Sequence, residues 1–146
     1  MSLEFSMAID AWVEQAKGRQ DAAVQAVALD TLNTVKKLTP VNTGFLRANW
    51  QVIRNNEQIP LPGRVENPEQ KIAEIKAGDR VLIINPVIYA RRVEYGFVGE
   101  DSLGRHYNQR GAAMVQRTLA ALPEIARRAV ARVSAGGNPM DTGVTP

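Results

Sequence analysis

The stretch that decides the reading of this chain is Leu38–Trp50, LTPVNTGFLRANW. Pro40 has no amide hydrogen and constrains the residue before it, so a preceding helix must stop near Leu38–Thr39. Asn42 is placed to cap a new helix, and Thr43-Gly44 gives the backbone room to turn. Phe45, Leu46 and Trp50 then bring apolar bulk around a single cation, Arg47. The sequence of events is helix end, corner, helix start. It contains no nucleophile–base pair, and the expectation from these residues alone is a buried structural corner.

Upstream, Ser6 to Leu38 has helical periodicity. Ile9, Trp12, Val13 and Ala16 start an apolar stripe that Val24, Val27, Ala28, Leu32, Val35 and Leu38 continue at three- and four-residue steps. Gly18 weakens the middle of that helix by about 1 kcal/mol relative to alanine. Downstream, Trp50–Asn55 reads as a strand. Asn56–Asn67, with Pro60, Pro62 and Gly63, reads as a loop. Pro68–Lys76 reads as a short helix capped by Asn67 and ended at Gly78. Arg80–Asn85 is a β-branched run expected to be a central strand. After Asn85-Pro86 a second short helix is expected to run to Gly96, with Arg91 and Glu94 paired on its surface. Phe97–Arg110 reads as a polar loop. Gly111–Ser134 reads as the last helix, with Met114, Val115, Thr118, Leu119, Leu122, Ile125, Ala126, Ala129, Val130 and Val133 on its dry stripe and a kink, or a break into two helices, expected at Pro123.

The expected fold is therefore α+β: a small antiparallel or mixed sheet against long N- and C-terminal helices, with short helices between strands. Residues 1–134 are expected to form one domain and Ala135–Pro146 a flexible tail. Two strands are too few for a stable isolated sheet. A third is expected within Gln58–Glu66 or Leu103–Tyr107, or from another subunit.

Composition narrows the chemistry. The 146 residues include no cysteine and one histidine, which excludes thiolate and multi-histidine metal sites within the chain. The formal charge is +3, which permits contact with DNA without implying it. No apolar run approaches the ~20 residues of a membrane span. The first residues lack the basic-then-apolar pattern of a secretory signal. His106 stands in an expected loop with no serine or carboxylate placed beside it by a motif. Glu94, Glu100 and Asp101 lack metal-binding spacing. No glycine-rich phosphate loop is present. Hence no catalytic residue, metal or cofactor is expected. The alternative reading is a small basic nucleic-acid-binding module, from Arg105, Arg110, Arg117, Arg127, Arg128 and Arg132.

Three ordered blocks carry a resemblance. Thr39-Pro40, Asn42-Thr43-Gly44, Leu46-Arg47 and Trp50 form the first. The second runs from Gly78-Asp79 through Asn85, Tyr89-Ala90 and Glu94 to Gly96. Gly111, Met114-Val115 and Thr118 form the third, with Arg110 and Ala112-Ala113 departing from the more compact family pattern. Together they resemble the small tail-component proteins of long-tailed bacteriophages, the tail-completion or head–tail joining proteins related to the minor tail protein Z group. The resemblance implies a non-enzymatic virion protein of a phage or prophage neck. Such proteins form rings, commonly hexameric, with other neck and tail proteins around the DNA channel, and are assembled in the host cytoplasm. It implies an assembly role for the motif residues. Within them, Arg47 is expected to pair with Glu94, fixing the corner to the Tyr89–Gly96 helix.

Overall fold

The computed structural model describes residues 2–4 (backbone alone), 19–41, 44–59, 61–63, 68–100 and 102–140. The fold is α+β. Helix α1 (Gln20–Leu38) is the central element. Its alanines Ala23, Ala26 and Ala28 are fully buried beside Val27, Leu32 and Val35, so it is enclosed on more than the one expected stripe. Small side chains allow neighbouring backbones to approach closely there. It ends at Leu38, as Pro40 requires. The expected first half of that helix, Ser6–Gly18, lies outside the described residues.

Helix α2 (Phe45–Ala48) follows, entered through Gly44 in a left-handed conformation (φ 81°). Strand β2 (Gln51–Arg54) pairs antiparallel with β3 (Val81–Ile84), setting Val52 opposite Ile83 and Ile53 opposite Leu82. Strand β1 (Ser2–Glu4) pairs antiparallel with the other side of β3, giving the order β1–β3–β2. The central place expected for the 80–85 run is correct. The third strand comes from residues 2–4; among the described residues, neither Gln58–Glu66 nor Leu103–Tyr107 adds a strand to this sheet. Val52, Val81 and Ile83 point to the main core, while Ile53 and Ile84 are buried on the opposite face.

Helix α3 (Pro68–Ala73) seats Ile72 in the core. It is held to α1 by Gln25, whose Nε2 donates to the carbonyls of Ala73 and Ile75 at 3.1 and 3.0 Å. Helix α4 (Ala90–Tyr95) leads directly into β4 (Gly96–Glu100), which pairs antiparallel with β5 (His106–Arg110). Phe97–Arg110, expected to be a loop, is thus a two-stranded ribbon separate from the main sheet. The expected helix after Pro86 starts only at Ala90; ahead of it, Val87 N–H is taken by Asn85 Oδ1 at 3.1 Å and Ala90 N–H by Val87 O at 3.0 Å in a local turn.

Helix α5 (Met114–Ser134) packs along α1 and runs through Pro123 as one element. Pro123 and Leu119, whose carbonyl loses its partner there, both face solvent, where water can replace the missing bond. That exposure also corrects Leu119, which is not on the dry stripe. Arg132 of α5 forms a forked pair with Asp30 of α1 at 3.1 and 3.2 Å. Burial pushes the Asp30 carboxyl up, against the lowering by Arg132. Residues 135–140, expected to begin the flexible tail, turn back: Gly137 N–H donates to Arg132 O at 2.9 Å, and Met140 packs on the core.

Candidate assembly surface around the Leu38–Trp50 corner

The corner is locked by a short relay. Trp50 is fully buried, and its Nε1 donates to Thr39 Oγ at 2.8 Å. Thr39 Oγ in turn donates to the Val35 carbonyl at 2.6 Å, inside the last turn of α1. The end of the helix and the start of β2 are therefore tied through one hydroxyl. Asn49, also buried, donates from Nδ2 to Phe45 O at 2.6 Å and accepts from Gly63 N–H at 2.6 Å. Asn85, beyond the central strand, donates from Nδ2 to Leu46 O at 2.8 Å and so fastens the second block to the first. Ala90 is buried beneath the same join.

Glu94 does something other than expected. It is 3% exposed, and its carboxylate accepts Val115 N–H at 2.8 Å and Gln116 N–H at 3.1 Å. These are orphan donors of the first turn of α5, whose own N-cap residue, Ala113, supplies no side-chain bond. The carboxylate also sits at the positive end of that helix. The expected pairs with Arg91 and Arg47 are both corrected: among the described residues, no ion pair joins Glu94 to either. Arg91 lies over the Tyr95 ring. Arg47 is half-buried near Lys36, whose pKa is lowered first by burial, with the Arg47 charge adding to that effect. Replacing Glu94 by alanine should cost about 1–3 kcal/mol by leaving buried N–H groups unpaired. Chemical denaturation checks this, and Arg47→Ala should not reproduce the effect by way of Glu94.

The remaining motif residues divide into two groups. Gly96, Gly111, Met114 and Val115 build the junction between α4, the ribbon and α5, where Ala112 N–H donates to Val93 O at 2.7 Å and Ala113 N–H to Glu94 O at 3.0 Å. Pro40, Gly44, Leu46 and Tyr89 line an open groove of about 720 Å³. Asn42 and Thr43 lie outside the described residues.

The groove is where the unpredicted residues gather. Phe97, Tyr107 and Gln109 on one face of the ribbon form its far wall, with Arg92, Arg105 and Arg110 around them. Arg92 stacks over the Phe97 ring at 4.1 Å from its centroid, and Phe97 and Tyr107 lie 5.9 Å apart. The available signal was the pair of five-residue runs GFVGE and HYNQR, each with an aromatic residue second and separated by a glycine-containing turn.

The other candidates are ordinary surface chemistry. His106 is largely exposed, with Nε2 3.9 Å from Glu100 Oε1. On α5, Arg127 and Arg128 share Glu124, at 2.6 and 2.8 Å. Those bonds, the Arg127 one foremost, hold the Glu124 carboxyl down at about 2, so that helix face is mixed in charge at neutral pH. Among the described residues, no group of three or more potential metal ligands comes together, and no helix is long and apolar enough to cross a membrane.

Neither the curated proteins nor the solved structures compared with the chain include a match. A protein-family model described as "Bacteriophage HK97-gp10, putative tail-component" matches residues 4–96. That span takes in the corner, the central strand and α4 through Gly96, and leaves the Gly111–Thr118 block beyond it. The match covers well over half of the chain, which therefore belongs to the HK97-gp10-like family of bacteriophage tail components.

Proposed function

We propose that this phage tail component is a structural protein of the neck, completing the tail or joining it to the head as one subunit of a closed ring. The observation that carries the reading is the family match over residues 4–96, which contains the Leu38–Trp50 corner. The geometry supports it: the motif residues hold elements together and shape a groove, and the polar side-chain atoms of Thr39, Trp50, Asn85 and Glu94 are taken by partners within the chain. They hold the subunit to one shape and carry out no reaction. A ring of like subunits needs a heterologous contact, with different patches on the two sides of each copy. Its partners in this reading are further copies, other neck and tail proteins and, transiently, DNA in the channel. Its place is the virion, after assembly in the host cytoplasm.

The basic-module alternative gains less support. Arg132 is committed to Asp30, and Arg127 and Arg128 to Glu124. The deciding experiment is assembly. With its neck partners the protein should run as a ring by size-exclusion chromatography with light scattering, and be present in purified particles. A chain that remains monomeric with those partners and is missing from particles would sink the proposal.

A further inference from the structure

The chain does not run straight out of α5. Gly137 N–H returns to Arg132 O at 2.9 Å, and Met140 N–H closes a turn on Asn138 Oδ1 at 2.9 Å. Residues 135–140 thus form a strap folded around one side chain. A Cβ on Gly137 would stand 2.7 Å from Arg132 O and 2.9 Å from Arg132 Cγ, so the strap backbone lies directly on the arginine stem. Further along, Arg132 Nη2 donates to Pro139 O at 3.4 Å, and Met140 packs on the core. Arg19 gives a second hold, from Nη2 to Gly137 O at 3.3 Å.

Asp30 keeps the guanidinium in that place. Its two oxygens take Nη1 and Nη2 at 3.1 and 3.2 Å, and the Arg132 and Asp30 side chains are only 23% and 14% exposed. The Nε–H of Arg132 is buried with no partner. Among the described residues, Arg132 is the charged group bonded to Asp30. Arg128, one turn earlier on α5, is held by Glu124, and Arg19 reaches Val133 O and Gly137 O. Neutralising Asp30 therefore leaves a largely buried cation with no counter-charge and an N–H already unpaired, which drives the guanidinium out to water. The strap loses its seat when the guanidinium moves.

We propose that Asp30, acting through Arg132, is the latch of this strap, and that loss of its charge on acidification frees residues 135–140 while the helices stay folded. Burial raises the Asp30 carboxyl above the usual aspartate value, so it takes up its proton at a higher pH than an exposed aspartate does. A carboxyl raised by folding binds its proton more tightly in the folded chain than in the unfolded one, so this protonation does not itself unfold the protein. The latch needs no second copy of the chain.

Hydrogen exchange and the Met140 methyl signal, both read by nuclear magnetic resonance, test it. At neutral pH the Gly137 amide should be protected and the Met140 methyl should show its packed position. Acidification through the Asp30 titration should lower Gly137 protection at least tenfold and shift the Met140 methyl, with the Ala28 and Leu29 amides of α1 still protected. Asp30→Asn should show the open strap already at neutral pH and lose the pH dependence. A strap that stays closed in Asp30→Asn, or that opens in the wild type only together with the α1 amides, overturns the proposal. If Asp30→Asn does not fold, the wild-type titration decides by itself: the strap opens ahead of α1, or the latch is refuted.

Discussion

Trp50→Ala is expected to destabilise the protein by about 3–5 kcal/mol, the range for removing a large buried aromatic side chain. Trp50 has no exposed surface, and its ring fills the space between α1, α2 and the sheet. Two losses combine. The larger is the cavity, which the surrounding backbone cannot collapse because Thr39, Asn49 and Asn85 hold the corner on three sides. The smaller is the bond from Nε1 to Thr39 Oγ, worth about 1 kcal/mol. Trp50→Phe separates them: it keeps most of the volume and loses the donor, so it should cost markedly less than the alanine variant. Urea unfolding followed by circular dichroism gives both numbers. Equal costs for the two variants would show that the hydrogen bond, not the packing, holds the corner. A cost below about 1.5 kcal/mol for Trp50→Ala would show that the corner is not part of the core.

How far the chain could be read before its structure was seen depended on how local each determinant is. The end of α1 was legible because Pro40 acts on its immediate neighbours by steric exclusion and a missing donor. Strand β3 was legible because a β-branched run buried on both faces leaves a continuous apolar signature. The ribbon left none. Its outer face meets solvent and its inner face meets an open groove, so the residues 96–110 show no apolar alternation strong enough to mark two strands. Strand β1 is three residues long and is specified by pairing with β3, a contact some eighty residues away in sequence.

The same distinction separates the site residues. Gly44 and Pro40 were placed correctly at the corner because their effects are local. The partner of Glu94 was misread because sequence spacing offers Arg91 three positions before it, whereas the real partners are amides 21 and 22 residues later. Nothing in the local pattern announces that a helix will begin over that carboxylate. Arg92, Phe97 and Arg110 were missed as groove residues for a related reason: the groove exists only once the ribbon folds across the corner.

The second large effect is expected at the junction beneath the ribbon. Gly96→Ala should destabilise by about 2–6 kcal/mol and should loosen the ribbon more than the rest of the molecule. Gly96 has φ 84° and ψ 172°, a region that only glycine occupies without strain, which costs other residues about 1–3 kcal/mol. A Cβ there would also stand 2.5 Å from Gln109 O and 2.7 Å from Gly111 N, both backbone atoms that cannot rotate away. Overpacking of that kind adds about 1–3 kcal/mol. Gly111 has the same crowding without the positive φ: its Cβ would meet Glu94 O at 2.5 Å and Tyr95 C at 2.6 Å. Gly111→Ala should therefore cost less than Gly96→Ala, and the difference isolates the backbone term. Because Ala112 and Ala113 donate to Val93 and Glu94 at this same crossing, displacing it also pulls α5 away from its Glu94 cap. Hydrogen exchange should show the loss first at the amides of the ribbon and of Val115 and Gln116, with the centre of α1 protected. Unchanged exchange at Val115 and Gln116 in a destabilised Gly96→Ala variant would mean that the ribbon and the α5 cap are independent, contrary to the geometry that joins them.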